Sequence, residues 1–558
     1  MPQANGTKEP TDWSSIDWRL AEALVRNLRQ RIFRASREGD LRKVRSLQKL
    51  LLRSRANAHV SVRKVTQKNK GKNSPGVDKV VVKTPVARAA LVDQILEHQA
   101  WRAKPVRRVY IPKAGGQNRP LGIPTVADRV MQAIVKNALE PFWEARFEAC
   151  SYGFRPGRGC HDAIAKLFTF ACPHRRKKWV VDADIQKAFD QIGHEALLEE
   201  IGGFPAKSLI RQWLKAGYME NGGWYPVEAG TPQGGVISPL LANIALHGME
   251  EALGIRHTVQ GYNRGKRGLV RYADDCVILC ESKEDAKAAQ EEISKWLALR
   301  GLALSQEKTQ VVHLSEGFDF LGFNIRQYPA PQTSRSGWKL LIKPSQKAVA
   351  KFKEKLKKDW LSLKGQNVGV VLARLNPVLR GWANYYQTVV SKETFNKLDH
   401  WMFSRCVRYA RFTHSTKSWK WQKERYWGRF KTGSKDQWIF GDKEAKSYLL
   451  KLTWTPIKRH ILVKGKASPD DSELRDYWEK RRQRQQNTLL PKLKKLARRQ
   501  KGRCPQCQGS LFNDEKLEVH HVRRRCDGGT NEDANLRLVH LYCHQQIHAR
   551  KEGELDAT

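Results

Sequence analysis

Residues 268–280 read Gly-Leu-Val-Arg-Tyr-Ala-Asp-Asp-Cys-Val-Ile-Leu-Cys. Apolar and β-branched residues flank a two-residue acidic centre, the pattern of strand, tight turn and strand with Asp274 and Asp275 at the tip. Adjacent carboxylates on a turn repel each other unless a cation lies between them. Mg²⁺ is commonly held by one or two carboxylates together with substrate phosphates. Two such ions, roughly 3.5–4 Å apart, can activate an attacking oxygen and steady a leaving one. Taken alone, the dipeptide suits a plain exposed hairpin tip better, so a metal site needs a carboxylate from elsewhere. Residues 179–190, Trp-Val-Val-Asp-Ala-Asp-Ile-Gln-Lys-Ala-Phe-Asp, offer one. Strand alternation puts Asp182 and Asp184 on one face, and one of them should meet the hairpin across a sheet.

A site for phosphate chemistry fits the charge balance. Lysine and arginine total 102 against 56 acidic residues, a net charge of 102 − 56 = +46 over 558 residues. A surplus of that size calls for a polyanion, with nucleic acid first and a membrane surface as rival. No apolar run approaches the ~20 residues that span a bilayer, and the polar first 13 residues contain no secretory signal. Ten cysteines in so long a chain do not make a disulfide framework, which favours an intracellular protein. The length predicts several domains.

The rest of the chain is read in order. Leu20, Leu24, Leu28 and Ile32 recur every four residues, predicting a helix; Gly39-Asp40 breaks it, and Leu41, Val44, Leu47 and Leu51 begin another. Residues 68–74 form a basic loop ahead of a turn at 74–78. Two strands, 107–113 and 118–124, flank a glycine turn, with Lys113 and Arg119 facing each other as a triphosphate clamp or as an exposed hairpin. An amphipathic helix is expected over 127–142. In Ser151-Tyr-Gly-Phe-Arg-Pro-Gly-Arg-Gly-Cys-His161, glycines would let backbone approach a ligand while Arg155 and Arg158 grip phosphate. Residues 228–239 form a turn-rich loop opening a helix, 282–299 a further helix, and 302–309 a strand. From 351 the chain is lysine-rich and helical, and Trp382, Tyr385 and Tyr386 could pack a core or stack on bases. Residues 405–429 mix basic and aromatic side chains, as a nucleic-acid face would. Residues 466–471 look like a linker, and 477–503 a basic helical segment broken at Pro491.

The tail carries metal-ligand spacing. Cys504-x-x-Cys507 and His540-x-x-Cys543 make a tetrahedral Zn²⁺ site. His544 and His548, one helical turn apart, can face a single ion with His520 as third ligand. That leaves His521 as general base for a water, oriented through the backbone of Asn535. So small a core fits a metal-stapled module. Cys526 matches neither cluster.

These blocks, in this order and over nearly the whole chain, resemble group II intron-encoded proteins of the reverse transcriptase, maturase and endonuclease type. Tyr272-Ala273-Asp274-Asp275 is similar to the Tyr-x-Asp-Asp box of the polymerase palm, 107–124 to the fingers motif, 375–386 to the maturase thumb, or X domain, and 504–548 to HNH (ββα-metal) endonucleases. The resemblance implies an α+β multidomain fold: a right-hand polymerase with an antiparallel palm sheet, an α-helical thumb, a basic helical linker and a ββα-metal module. The boundaries expected are 1–88 for an N-terminal helical extension, 89–345 for fingers and palm, 346–430 for the thumb, 431–500 for a basic DNA-binding region and 501–558 for the nuclease.

The same resemblance implies site residues. Asp184, five positions before the aromatic Phe189, would join Asp274 and Asp275 on two Mg²⁺ ions, leaving Asp182 structural and Asp190 as a cap or in local hydrogen bonds. Lys113, Arg119, Phe189 as steric gate against a 2′-hydroxyl, Gln233 and Lys308 would handle the incoming nucleotide, although Phe189 suits core packing as well and Lys308 a surface position better. Arg380, Trp382 and Tyr385 would bind RNA. His521 would be catalytic in the nuclease, with His520, His544 and His548 holding Mg²⁺, Mn²⁺, Zn²⁺ or Ni²⁺, and Cys504, Cys507, His540 and Cys543 a structural Zn²⁺. The implied activity is RNA-directed DNA polymerisation, assistance to splicing of the intron RNA, and nicking of target DNA for retrotransposition. The partners would be group II intron RNA, target DNA and dNTPs, with no membrane, in a bacterial cytoplasm at the nucleoid. The alternatives are a retroelement reverse transcriptase without a splicing role, and an RNA-binding splicing cofactor that no longer polymerises.

Overall fold

The central sheet runs Gln310–His313, Trp179–Asp184, Asp275–Cys280, Gly268–Tyr272, antiparallel throughout. The structure is a computed structural model that describes residues 11–97, 101–112, 118–258, 263–331, 336–430, 433, 435–484, 489, 491–512, 516–541, 543–545 and 547–548. Strand alternation divides the apolar residues of the sheet between two cores. Val181, Leu269 and Ile278 face one, closed by Ala286, Ile293 and Leu297 of helix Lys283–Ala298. Val180, Val270, Val277 and Leu279 face the other, closed by Ile164 and Leu167 of helix Cys160–Ala171. With both faces covered, the polar strand ends are what remain open to a cleft.

On the first side, helices Trp18–Arg37, Leu41–Leu52 and Arg55–Arg63 start at the N-caps Asp17, Asp40 and Ser54, whose side-chain oxygens accept from backbone amides. They gather around Val126–Glu144, buried along most of its length rather than amphipathic at a surface, because it runs between two cores. Helix Pro85–Leu96 runs through residue 88, so the expected boundary there falls inside one element. Strand Val106–Pro112 pairs antiparallel with Asn118–Ile123 and parallel with Tyr218–Glu220. On the second side, a three-stranded sheet (Phe318–Phe320, Phe323–Pro329, Trp338–Pro344) leads into helices Gln346–Ser362, Val368–Tyr386 and Lys392–Thr413. The strand expected over 302–309 begins instead at Gln310; residues 306–308 form a turn. No helix among the described residues is long and apolar enough to cross a membrane.

Residues 466–471 are not a linker. Ser468 and Asp470 are buried, Arg29 bonds both oxygens of Asp470 at 2.9 and 2.6 Å, and Arg37 lies 2.9 Å from Asp471. The segment around them is strapped across the entrance to helix Cys160–Ala171. There the buried Asp162 accepts from Gly159 N, His460 Nε2, Val463 N and Arg481 Nη2 at 2.7–3.0 Å. Trp478, from helix Arg475–Gln483, covers Gly157; at that φ of +70° a Cβ would stand 2.5 Å from the indole. The basic tail is therefore two helices, Arg475–Gln483 on the body built around the central sheet and Pro491–Arg499 on the C-terminal module. Only the second leaves the body, because the first spends its tryptophan and Arg481 on it. That module pairs Leu517–His521 with Leu536–His540, and 543–545 and 547–548 are helical.

Asp162 is the hub of the strap. Asp162→Ala would leave Arg481 and His460 without their shared carboxylate, and truncating one partner of a buried pair typically costs about 3 kcal/mol or more. The expected outcome is a lower thermal midpoint, read by calorimetry; an unchanged melt would remove the hub from the stability account.

An acidic cleft and a metal-binding tail

The register of the sheet, more than the hairpin, assembles the acidic centre. Asp184 and Asp275 are direct partners in the ladder between Trp179–Asp184 and Asp275–Cys280. Asp274 sits one residue earlier, in a turn entered through Ala273 at a left-handed φ of +58°. Burial drives the Asp275 carboxyl up to about 7, helped by Asp274, Asp184 and Asp182. Burial likewise raises Asp274, and lifts Asp182 to about 6 with neighbouring Asp184 and Asp319 adding to the rise. Like charges so close cannot all ionise unaided, and a hard divalent cation is the usual remedy. The carboxylate of Asp182 accepts from Gln310 Nε2 at 3.4 Å.

A cleft of about 960 Å³ gathers Arg119, Asp184, Phe189, Asp190, Gln233, Asp274 and Lys308 on its walls. Lys308 Nζ, two-thirds exposed, lies 2.8 Å from Asp184 Oδ2, and that hydrogen bond raises its pKa. It is thus tied to the acidic centre rather than being a free surface lysine. Arg119 Nε donates to Gln233 Oε1 at 2.6 Å, and Gln233 Nε2 donates to Asp190 at 3.1 Å. Asp190 is therefore no local cap: it anchors a glutamine 43 residues away. That link is invisible in sequence, because nothing local pairs the two. Phe189 follows the left-handed Lys187 on a short turn of helix and is buried, its ring edge-on to Phe154 at 6.0 Å. Lys113 lies outside the described residues.

Other expected contacts are spent inside the protein. Arg155 is buried against Glu144, at 2.9 and 3.0 Å, and against two carbonyls, while Arg158 binds the carbonyls of Ala149, Gly465 and Ala467. Neither is free to grip phosphate. Trp382 stacks flat on Phe352 at 4.5 Å, and Tyr385 stacks on Phe323 while its hydroxyl donates to Leu321 O at 3.0 Å. Their ring faces are taken by protein. Arg380, two residues before Trp382 on the same helix, stands half-buried.

The tail brings together two ligand sets. Donor atoms of Cys504, Cys507, His540 and Cys543 lie within 4.8 Å of one another, as do those of His520, His544 and His548. His540 Nε2 donates to Ser510 O at 3.0 Å, turning Nδ1 toward Cys507 Sγ at 3.3 Å. That is the tautomer a metal-ligating histidine needs, so His540 can offer a fourth ligand beside the three cysteines. Hydrogen bonds from Cys507 and Cys543 hold the Cys504 thiol far below its usual range, while Cys543 is pushed far above by the same neighbours. Three thiols so arranged suit a cation that takes them all as thiolates. In the second set, His544 Nδ1 donates to Glu518 Oε2 at 3.0 Å, leaving its Nε2 facing His548 Nε2 at 3.2 Å. Two ring nitrogens converging in this way suit a shared metal. The ring of His521 is held by the side chain of Asn531, at 2.9 Å, not by Asn535, whose carbonyl accepts from Val522 N. Glu518 and Asn531 carry second contacts that spacing alone did not single out.

The sequence matches the family models for reverse transcriptase (RNA-dependent DNA polymerase) over 111–325, the N-terminal domain of reverse transcriptase over 13–95, the maturase-specific domain of group II introns over 349–427 and HNH endonuclease over 504–550. It is 36% identical to Protein YkfC of Escherichia coli (strain K12), across 47% of this chain and 78% of that one. It is 32% identical to the group II intron-encoded protein LtrA of Lactococcus lactis subsp. cremoris, across 48% of this chain and 55% of that one. A 91 kDa protein in the cob intron of Schizosaccharomyces pombe is 28% identical, across 61% and 51%. The chain thus spans about half the length of the last two.

The raised Asp275 has a stability consequence. The folded protein holds this proton up to about pH 7 while the unfolded chain releases it near 3.8, so the group weakens folding progressively as pH rises between the two. Asp275→Asn removes that penalty. In metal-free buffer the variant is expected to melt above the wild type at pH 8 and to lose the advantage at pH 4; an equal difference at both pH values would contradict it.

Proposed function

The chain belongs to the group II intron-encoded family that joins reverse transcriptase, maturase and HNH endonuclease domains, and from this we propose that it copies RNA into DNA, assists splicing of its intron RNA and nicks the DNA into which the copy is made. The observation carrying the polymerase reading is the in-register pair Asp184–Asp275, with Asp274 beside it in a cleft that also holds Arg119, Gln233 and Phe189.

Two Mg²⁺ ions bound there would make the primer 3′-hydroxyl a stronger nucleophile and neutralise charge on the leaving pyrophosphate. Asp184 and Asp274 would hold both, with Asp275 assisting. Arg119, and Lys113 with it, would grip the triphosphate. Gln233, locked between Arg119 and Asp190, would set the height of the nascent pair. Phe189, at its fixed position after Lys187, would clash with a 2′-hydroxyl and so prefer dNTPs. Lys308 would give a proton to the departing pyrophosphate.

Helices Gln346–Ser362, Val368–Tyr386 and Lys392–Thr413 would form the thumb and the RNA-binding maturase surface. Arg380 would meet phosphate, while Trp382 and Tyr385, stacked inward, would hold that surface in shape. In the tail, Cys504, Cys507, His540 and Cys543 would bind a structural Zn²⁺. His520, His544 and His548 would hold the nuclease cation, Mg²⁺, Mn²⁺, Zn²⁺ or Ni²⁺. His521, its Nε2 fixed on Asn531, would take a proton from the attacking water through Nδ1. The nick would leave a 3′-hydroxyl to prime synthesis on the intron RNA. Such work belongs to a bacterial cytoplasm and its nucleoid.

Two variants divide the activities. Asp274→Ala is expected to abolish primer extension on an RNA template while leaving intron RNA binding within about threefold, since binding rests on phosphate contacts elsewhere; retained extension would end the palm assignment. His521→Ala is expected to stop nicking of target DNA and spare extension on a supplied primer, assayed on the same preparation; persistent nicking would remove His521 from the mechanism.

A further inference from the structure

The turn that carries Asp274 is held from behind by a side chain the chemistry above does not use. Arg271 is completely buried, which arginines almost never are unless paired. Its Nη1 donates to Ala273 O at 3.2 Å and to Asn243 Oδ1 at 3.1 Å. Its Nε and Nη2 are buried with no hydrogen-bond partner among the described residues. An arginine sealed in the interior with one bonded nitrogen is unfavourable for stability, so what that nitrogen holds is the informative point. It holds Ala273, whose left-handed φ of +58° disfavours any residue with a Cβ and which immediately precedes Asp274. Asn243 completes the brace, since its Nδ2 donates to Gly153 O at 2.9 Å. Gly153 in turn lies flat against the same turn; a Cβ there would stand 2.3 Å from Ala273 N. The backbone of Arg271 is fixed as well, N to Cys150 O and Tyr152 N to Arg271 O, both 2.9 Å. The Ala273 residue is thus gripped at its carbonyl by a guanidinium and at its amide by a glycine surface.

We propose that Arg271, Asn243 and Gly153 are positioning residues for polymerisation: together they fix the left-handed Ala273 and so set the direction of the Asp274 carboxylate. None of the three lines the cleft that holds Asp184 and Asp274. The inference rests on the reading of Asp184, Asp274 and Asp275 as the cation-binding centre.

The test is primer extension on an RNA template with Mg²⁺ and dNTP varied independently, beside thermal melting, for full-length Asn243→Ala, Gly153→Ala and Arg271→Lys. The two alanine variants are expected to lose about 10- to 100-fold in kcat, as supporting groups of a metal site do. Their half-saturating Mg²⁺ should rise several-fold while KM for dNTP stays within about threefold, the pattern of a lost aim at the reacting centre. Arg271→Lys, which keeps a buried donor, should fall between them and the wild type. Folded alanine variants with wild-type kcat and Mg²⁺ curves would overturn the inference. So would a loss of kcat with an unmoved Mg²⁺ curve, or a collapse of the melt in all three, since the contacts would then serve the fold alone. Asp274→Ala in the same assay separates the two layers: if it still extends primers the cation-centre reading fails, and if it is dead while the alanine variants match the wild type only the positioning role fails.

Discussion

Carboxylates brought to the end of two paired strands repel each other, and the rest of the polymerase body is arranged to hold them there. Asp184 and Asp275 are locked opposite by the ladder, and burial with mutual repulsion lifts Asp275 to about 7 and Asp182 to about 6. Such a centre costs folding stability, which a bound cation would return. The two apolar cores on either face of the sheet resist the repulsion, since a slip of one residue in either strand would send its valines and isoleucines into the opposite core and mispack both. Lys308 relieves part of the charge on one side.

What could be read from sequence divides along the same physics. The acidic hairpin, its partner strand and the histidines and cysteines of the tail were legible because their signals are local: alternation of period two, a tight turn, ligand pairs at fixed spacing. The first two helices were legible for the same reason, from the spacing of Leu20, Leu24, Leu28 and Ile32 and the break at Gly39-Asp40, whereas the N-caps Asp17 and Ser54 emerged only with the fold. The fate of the arginines was not. Arg155 and Arg158 sit in a glycine-rich string that looks made for phosphate, yet Glu144 and backbone carbonyls far along the chain consume them. Trp382 and Tyr385 have the composition of a base-stacking surface, but Phe352 and Phe323 reach them first. Partners dozens to hundreds of residues away leave no mark on local pattern, so the Gln233–Asp190 link and the burial of residues 466–471 emerged only with the fold.

The tail illustrates a smaller lesson about substitution at a ligand position. A histidine in a knuckle otherwise made of cysteines need not break it, provided its second nitrogen has somewhere to donate. Ser510 O supplies that acceptor for His540, as Glu518 does for His544. Ligand identity is then decided by neighbours that lie outside the ligand spacing, and they are as much part of the site as the atoms that would face the ion.

The strap over Asp162 and Gly157 also bears on how such a gene can change. With Trp478 seated on Gly157 and Arg481 on Asp162, the stem of the nuclease is masonry for the polymerase. A lineage could lose its endonuclease by a stop codon beyond the strap and keep a sound copying enzyme. A frameshift only a few dozen codons earlier would remove Trp478, Arg481 and Asp470 together and leave Gly157, Asp162 and Arg29 uncovered. Descendants without a nuclease should therefore end shortly after that tryptophan far more often than before it.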